Sequence, residues 1–234
     1  MHVYYDEGRE YKDVRLHPYQ PNAEEAAQAG FLDFKKDPDR IAEVLEDFRP
    51  HADQAAVQTW YDLLRWLNGP ESELESADCA FRPPCANRSR GVSPHALQAE
   101  GRLCVMFRNL AANCHEESLG WLVSRLGWEL QQLDAELPAS AAVVGFSTAA
   151  TLFTELSKTG VRLADGTFES DENDPAHGHQ VMLWFWAWGD DEATVSANLD
   201  RAFKNIWAAC RATSAEIAVG NRRAREAEQA AGAD

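Results

Sequence analysis

The sequence lacks the motifs by which many enzymes are recognised. It has no Walker loop for phosphates, no GxGxxG fingerprint for dinucleotides and no HExxH helix for zinc. Ser147 follows Gly145 by two positions, but Ala149 stands where the nucleophile elbow of a hydrolase requires a second glycine. We therefore predict a protein that works by binding, has no catalytic residues and needs no metal or other cofactor.

The chain is also poor in cysteine. Its five cysteines are odd in number and include no CxxC motif, which favours reduced side chains in a cytoplasmic protein. Cys79 and Cys85 could form a bridge if their segment is a loop, and Cys104 with His95 or His115 could form a nucleophile and base. Ordinary unpaired cysteines are the preferred interpretation in both cases.

Long apolar runs are absent. No segment approaches the roughly 18 apolar residues that cross a bilayer, and Met1–Glu7 lacks the basic start and apolar run of a signal peptide. The sequence therefore predicts neither a membrane span nor a secretory leader.

Basic residues are few. Lys and Arg total 22 against 38 Asp and Glu, giving a net charge of −16. This balance disfavours nucleic acid and anionic membranes, because both are bound through Lys and Arg. It favours a cationic partner, which the long-range field would steer toward the chain. The same excess of acid could instead serve only solubility.

The most distinctive segment that is present is an aromatic strand at Gln180–Trp188. Side chains alternate faces along a strand, so Val181, Leu183, Phe185 and Ala187 share one face. Met182 and three tryptophans share the other. A strand that is apolar on both faces is typical of the centre of a sheet. The strand lies in residues 163–200, which contain nine carboxylates and no Lys or Arg.

Other hydrophobic patterns indicate a layered α+β fold. Strands are predicted over 103–107 and 141–146, helices over 38–48, 52–67, 115–137 and 190–218, and a weak β pattern with a turn near Gly8 over 1–21. The helix over 52–67 meets a stop at Asn68-Gly69-Pro70, where Gly69 could take the left-handed conformation. Two strand-then-helix units predict a mixed or antiparallel sheet with helices packed on it. The N-terminal helical pair would cover an edge or face of that sheet.

The same patterns predict the domain organisation. Residues 1–220 are expected to form a single α+β domain, with a possible internal boundary in a loop over 70–101. Residues 221–234 contain three arginines among Ala and Glu and have no apolar anchor. They are expected to form a flexible tail.

The tryptophans of the aromatic strand allow three interpretations. Trp184, Trp186 and Trp188 could be core residues, anchors of a protein interface, or a platform on which a sugar or base stacks. Trp188 is expected to be the most exposed, because it is the last before the turn. His177 and His179 lie just before the strand, and with the preceding carboxylates they could hold a metal ion. A metal-dependent or small-molecule enzyme or binder is therefore the alternative function.

Two stretches carry a resemblance to a known family. They are Leu64–Arg82, a helix end followed by an acidic loop, and Gly178–Glu192, the tryptophan strand followed by an acidic turn. Together they resemble immunity proteins of bacterial polymorphic toxin systems. The resemblance implies a secreted nuclease toxin of restriction-endonuclease-like fold as the partner. It also implies inhibition by an acidic surface that occupies the basic nuclease site.

The function predicted from charge and resemblance is an immunity protein that neutralises its cognate toxin by binding. The residues expected to contact the toxin are Glu71, Glu73, Glu75, Asp78, Asp171, Glu172, Asp174, Asp190, Asp191 and Glu192, with Trp188 as an apolar anchor. Their role would be steering and ion pairing with Lys or Arg. A homo-oligomeric protein remains a further alternative.

Overall fold

The computed structural model describes residues 1–15, 55–150 and 177–231. The described strands are β1 His2–Arg15, β2 Leu74–Ala86, β3 Leu97–Phe107, β4 Ala139–Ala150 and β5 His177–Gly189. The described α-helices are α1 Ala55–Asn68, α2 Glu116–Gln131 and α3 Glu192–Ala231, and a 3-10 helix spans Leu110–Cys114.

The strands form one mixed sheet in the order β1-β4-β5-β3-β2. Strand β1 runs parallel to β4, and the other neighbours are antiparallel. The predicted α+β class with a mixed sheet is confirmed. The aromatic strand is β5, which occupies the centre, as its two apolar faces predict. Of the predicted N-terminal helical pair, 52–67 corresponds to α1, while 38–48 lies outside the described residues.

The described helices pack on one face of the sheet over a cluster of rings. Phe185 of β5 contacts Trp60 of α1 and Phe203 of α3, with ring centroids 5.3 and 5.1 Å apart. Phe81 of β2 adds an edge-on contact to Phe203 at 5.7 Å. Aromatic pairs at these separations add stability beyond the area that they bury. The core therefore lies between β5 and the helices, on the face predicted from Val181 to Ala187.

The predicted loop over 70–101 is wrong, because it contains β2 and the beginning of β3. The acidic residues and the pair Pro83-Pro84 obscure the strand pattern in the sequence. Proline is tolerated there because β2 lies at the edge of the sheet as far as it is described, and its register with β3 is interrupted between Arg82 and Cys85. The six steps from Cys79 to Cys85 along the extended strand separate the two cysteines by about 20 Å, too far for a disulfide. Both cysteines are free.

Three further boundaries differ from the sequence predictions. Strand β1 is continuous, and the expected turn near Gly8 is a register shift between Asp6 and Arg9. Helix α2 ends at Gln131, because Asp134 takes a positive φ of 28° that a helix cannot continue. Helix α3 continues to Ala231, well past the predicted end near Ala218. None of the described helices is long and apolar enough to cross a membrane.

Candidate binding surfaces

The acidic turn after β5, Asp190–Glu192, is exposed, and two of its three carboxylates are held by hydrogen bonds. Asp190 accepts a hydrogen bond from the Ala96 backbone N–H at 3.0 Å, and its other oxygen lies 3.2 Å from His95 Nδ1. These hydrogen bonds lower the pKa of the Asp190 carboxyl. The turn is thereby tied to the loop that precedes β3.

Asp191 and Glu192 form the beginning of α3. Asp191 accepts hydrogen bonds from the Thr194 N–H at 2.8 Å and the Thr194 hydroxyl at 2.9 Å, which makes it the helix cap. The same bonds lower the pKa of the Asp191 carboxyl. Glu192 is exposed in the first helical turn. The turn thus presents negative charge to solvent while two of its three carboxylates also support the fold.

The acidic segment before β2 is less available. Glu71 is exposed, whereas Glu73 is half-buried and accepts a hydrogen bond from Asn221 of α3 at 3.1 Å. Glu75 is only 6% exposed. Asp78 pairs with Cys104 in the backbone register of β2 and β3. Among the predicted contact residues of this segment whose side chains are described, only Glu71 is therefore exposed.

The two acidic regions lie at opposite ends of the sheet. Strand β3 pairs Leu97 with Gly189 at one end and Phe107 with Leu74 at the other. The ten residues between Leu97 and Phe107 span about 30 Å at the usual strand rise. The structure does not bring Glu71 and Asp190 together. The remaining predicted acids, Asp171, Glu172 and Asp174, lie outside the described residues.

The expectation that Trp188 is the most exposed tryptophan of β5 is wrong. Trp188 is 4% exposed, whereas Trp184 is 41% exposed. The strand does not stop being paired at Trp188: its N–H donates to the Pro138 carbonyl at 2.9 Å, and Asn198 donates to its carbonyl at 2.8 Å. The connection from α2 and the beginning of α3 therefore close over the end where exposure was expected.

A shallow groove marks the sheet face opposite the helices. It has a volume of about 170 Å³. Trp184 and Trp186 line it with Glu100 and the arginines Arg82 and Arg102. Glu100 lies 3.6 Å from Arg82, whose side chain is 69% exposed. An aromatic wall beside fixed charges could hold a planar ligand.

The histidines of the alternative function do not share this groove. His179 follows the alternation of Val181 and Leu183, which places it on the face opposite Trp184. His177 pairs with Ala149 at the beginning of β5. Within residues 1–15, 55–150 and 177–231, no group of three His, Cys, Asp or Glu side chains is arranged to hold a metal ion.

Sequence reasoning missed an exposed aromatic surface on α2. Trp121 and Trp128 are 37% and 50% exposed, and they lie opposite the buried leucine stripe of the helix. Their separation of seven residues, on the helix face opposite that stripe, is a signal that could have revealed them.

Comparison of the chain with protein-family models, curated proteins and solved structures gives no match. The sequence resemblance to immunity proteins therefore stays a hypothesis.

Proposed function

We propose that the chain is an immunity protein that neutralises a cognate secreted toxin, a nuclease with a basic active site, by binding to it. The observation that carries the proposal is the acidic turn Asp190–Glu192, which is exposed in a chain of net charge −16 and has two carboxylates positioned by hydrogen bonds. Fixed carboxylates can replace the phosphates that Lys and Arg of a nuclease hold. No bond-making residue of this chain is needed for that inhibition.

Interface size favours the turn over the segment before β2. A standard interface covers about 800 Å² of each partner, which corresponds to a patch about 30 Å across. Glu71 and Glu192 lie at opposite ends of a sheet of about that length. A patch of that width centred on the turn therefore does not reach Glu71, and the turn is the end with more exposed charge.

Glu192→Lys tests the turn with little effect on the fold, because Glu192 is exposed. We expect the association rate with the toxin to fall about tenfold at low salt, since charges at the edge of an interface act mainly by steering. The difference should shrink in high salt, where the Debye length is short. The measurement is binding kinetics against the toxin domain encoded by the neighbouring gene, at two ionic strengths.

Glu71→Lys is the matched control, because it changes the net charge equally at the other end of the sheet. We expect its association rate to stay within about twofold of the wild type. A larger effect at Glu71 than at Glu192 would move the toxin to the opposite end. No binding of wild-type chain to the neighbouring toxin would refute the proposed function.

The groove supports a second candidate function, the binding of a small planar ligand such as a nucleoside or a sugar. Trp184 offers an exposed ring face beside the Arg82–Glu100 pair. We expect a ligand from such a panel to raise the Tm of the wild type and to have no effect on Trp184→Ala. Trp128→Ala, which removes an exposed ring on α2, should respond as the wild type does. A panel without a stabilising ligand argues against this candidate.

A further inference from the structure

The solvent-facing stripe of α2 is unusual in composition. Apart from Glu116, where the helix begins, its exposed residues are spaced by four, three, four and three positions. They are Glu117, Trp121, Ser124, Trp128 and Gln131. This spacing is one continuous face of a helix. A face directed to water normally carries charged residues. Here a single carboxylate stands among two tryptophans, a serine and a glutamine.

Each of the two rings contacts one neighbouring side chain that orients it. Trp121 stacks on Phe107 with centroids 6.2 Å apart and planes at 30°. The guanidinium of Arg125 lies 4.8 Å from the centre of the Trp128 ring. Both indoles are thus oriented before binding, which lowers the entropic cost of using them as anchors.

The charge around the rings is negative. Arg125 lies between two carboxylates, Glu129 at 2.5 Å and Glu216 of α3 at 2.9 Å. Glu117 adds a third carboxylate to the exposed stripe, about two helical turns before Arg125. The positive charge of Arg125 is therefore more than offset, and the patch complements a cationic surface.

We propose that Trp121 and Trp128 form an anchor surface on α2 for a protein partner whose contacting surface carries Lys or Arg around an apolar depression. The inference rests on the proposed function, because the toxin is the partner expected to have such a surface. Tryptophans are enriched among the few residues that carry most of the binding energy of an interface. The carboxylates around them provide the polar rim.

A second copy of this chain fits the surface less well. The stripe follows a helix about 24 Å long and one helix wide, so an α2–α2 pair buries a few hundred Å² per chain. A standard interface needs about 800 Å² per partner. The pair would also bring together two negative patches of a chain with net charge −16.

The stripe reaches toward the end of the sheet that carries the acidic turn. Arg201 of α3 bridges to Asp134, which follows the end of α2, at 2.5 Å. The N–H of Trp188 at the end of β5 donates to Pro138 in the same connection. Trp128 lies one turn before the end of α2, so it and Glu192 are at the same end of the sheet.

The test is affinity for the toxin domain encoded by the neighbouring gene. Trp121→Ala/Trp128→Ala should weaken binding at least about 100-fold, because each exposed anchor is expected to contribute a factor of at least about 10. Alanine favours helix, so the fold should be retained, and circular dichroism checks it. Trp184→Ala, with a comparably exposed ring on the other sheet face, is the control and should bind within about threefold.

A second pair of variants tests the charge of the partner. Ser124→Arg and Ser124→Glu place opposite charges at the centre of the stripe, on an exposed helix position. A cationic partner requires Ser124→Arg to bind at least about tenfold more weakly than Ser124→Glu. Equal affinities would overturn the assignment of partner charge.

Failure of the surface and failure of the function give different results. If the wild type binds the toxin domain and the double tryptophan variant binds equally, the surface is wrong and the immunity function stands. If the wild type does not bind it, the function falls and the surface falls with it. If light scattering shows a dimer that the double variant dissociates, a second copy occupies the surface and the proposal is overturned.

Discussion

Gly101→Ala should destabilise the fold severely. Gly101 lies on β3 between Phe81 of β2 and Phe185 of β5, its register partners on either side. A methyl group added there would overlap the Phe185 ring, and it would lie 2.5 Å from the Ala80 carbonyl oxygen and 2.6 Å from Phe81 Cβ. Two of these neighbours are backbone or Cβ atoms of an adjacent strand, so they cannot move without breaking the sheet.

The expected cost exceeds that of ordinary overpacking. An extra methylene in a core costs about 1–3 kcal/mol when side chains can shift. Here the strand itself must shift, beneath the rings that join β5 to α1 and α3. We expect a loss of at least about 4 kcal/mol, a large part of the stability of an ordinary domain. The measurements are soluble yield, near-ultraviolet circular dichroism and the urea unfolding midpoint.

Gly91→Ala is the matched control. An added methyl group at Gly91 meets no atom within 4 Å, and the residue is exposed in the turn between β2 and β3. Its unfolding midpoint should equal that of the wild type or exceed it slightly, because alanine restricts the unfolded chain. A Gly101→Ala protein as stable as this control would show that β2 and β3 are not paired in this register.

The same strand shows what periodicity can and cannot predict. The buried face of β5 follows directly from the alternation of Val181, Leu183 and Phe185, and its central place follows from apolar residues on both faces. The alternation does not predict the exposure of individual tryptophans, because that exposure depends on which other elements of the fold pack against the strand. Asn198 and Pro138, from other elements, are hydrogen-bonded to the Trp188 backbone and close this end of β5. No local pattern around Trp188 contains that information.

The acidic candidates illustrate a second limit. A count of carboxylates along the chain treats Glu71, Glu75 and Asp190 as equivalent. The sheet register separates them by end and by burial, since Glu75 is 6% exposed and Asp190 is exposed. Long-range pairing of strands determines this placement, and pairing was not predictable where Pro83 and Pro84 obscured β2. The fold therefore distinguishes the acidic turn from the segment before β2, which the sequence alone does not.

Arg108→Met should cost about 3 kcal/mol of unfolding free energy. The Arg108 guanidinium donates to the carbonyls of Leu67 at 3.0 Å, Gly69 at 2.5 Å and Ser72 at 2.6 Å. These carbonyls belong to the end of α1 and the segment after it, where helix ends leave acceptors without partners. Hydrogen bonds to a charged donor contribute about 1.5–3 kcal/mol each, and water recovers part of that when the donor is removed.

The sequence predicts a different ending for α1. Asn68-Gly69-Pro70 indicates a left-handed glycine cap, yet Gly69 does not take that conformation. Arg108, about 40 residues later in the chain, supplies the donors instead, so no local pattern reveals it.

Arg108→Lys keeps the charge without the planar fork, and we expect it to lose less unfolding free energy than Arg108→Met does.

Urea unfolding of both Arg108 variants measures the effect, with the slope of the transition checked for constancy. Arg82→Met is the control, because Arg82 is 69% exposed and its 3.6 Å pair with Glu100 should contribute less than about 0.5 kcal/mol. Equal stability of Arg108→Met and Arg82→Met would mean that water replaces the guanidinium fully.

Arg108 also shapes the segment that carries Glu71, at the end of the sheet away from the acidic turn. If the toxin docks at Asp190–Glu192, Arg108→Met should lose stability and keep its affinity, which separates the two ends of the sheet in a single variant.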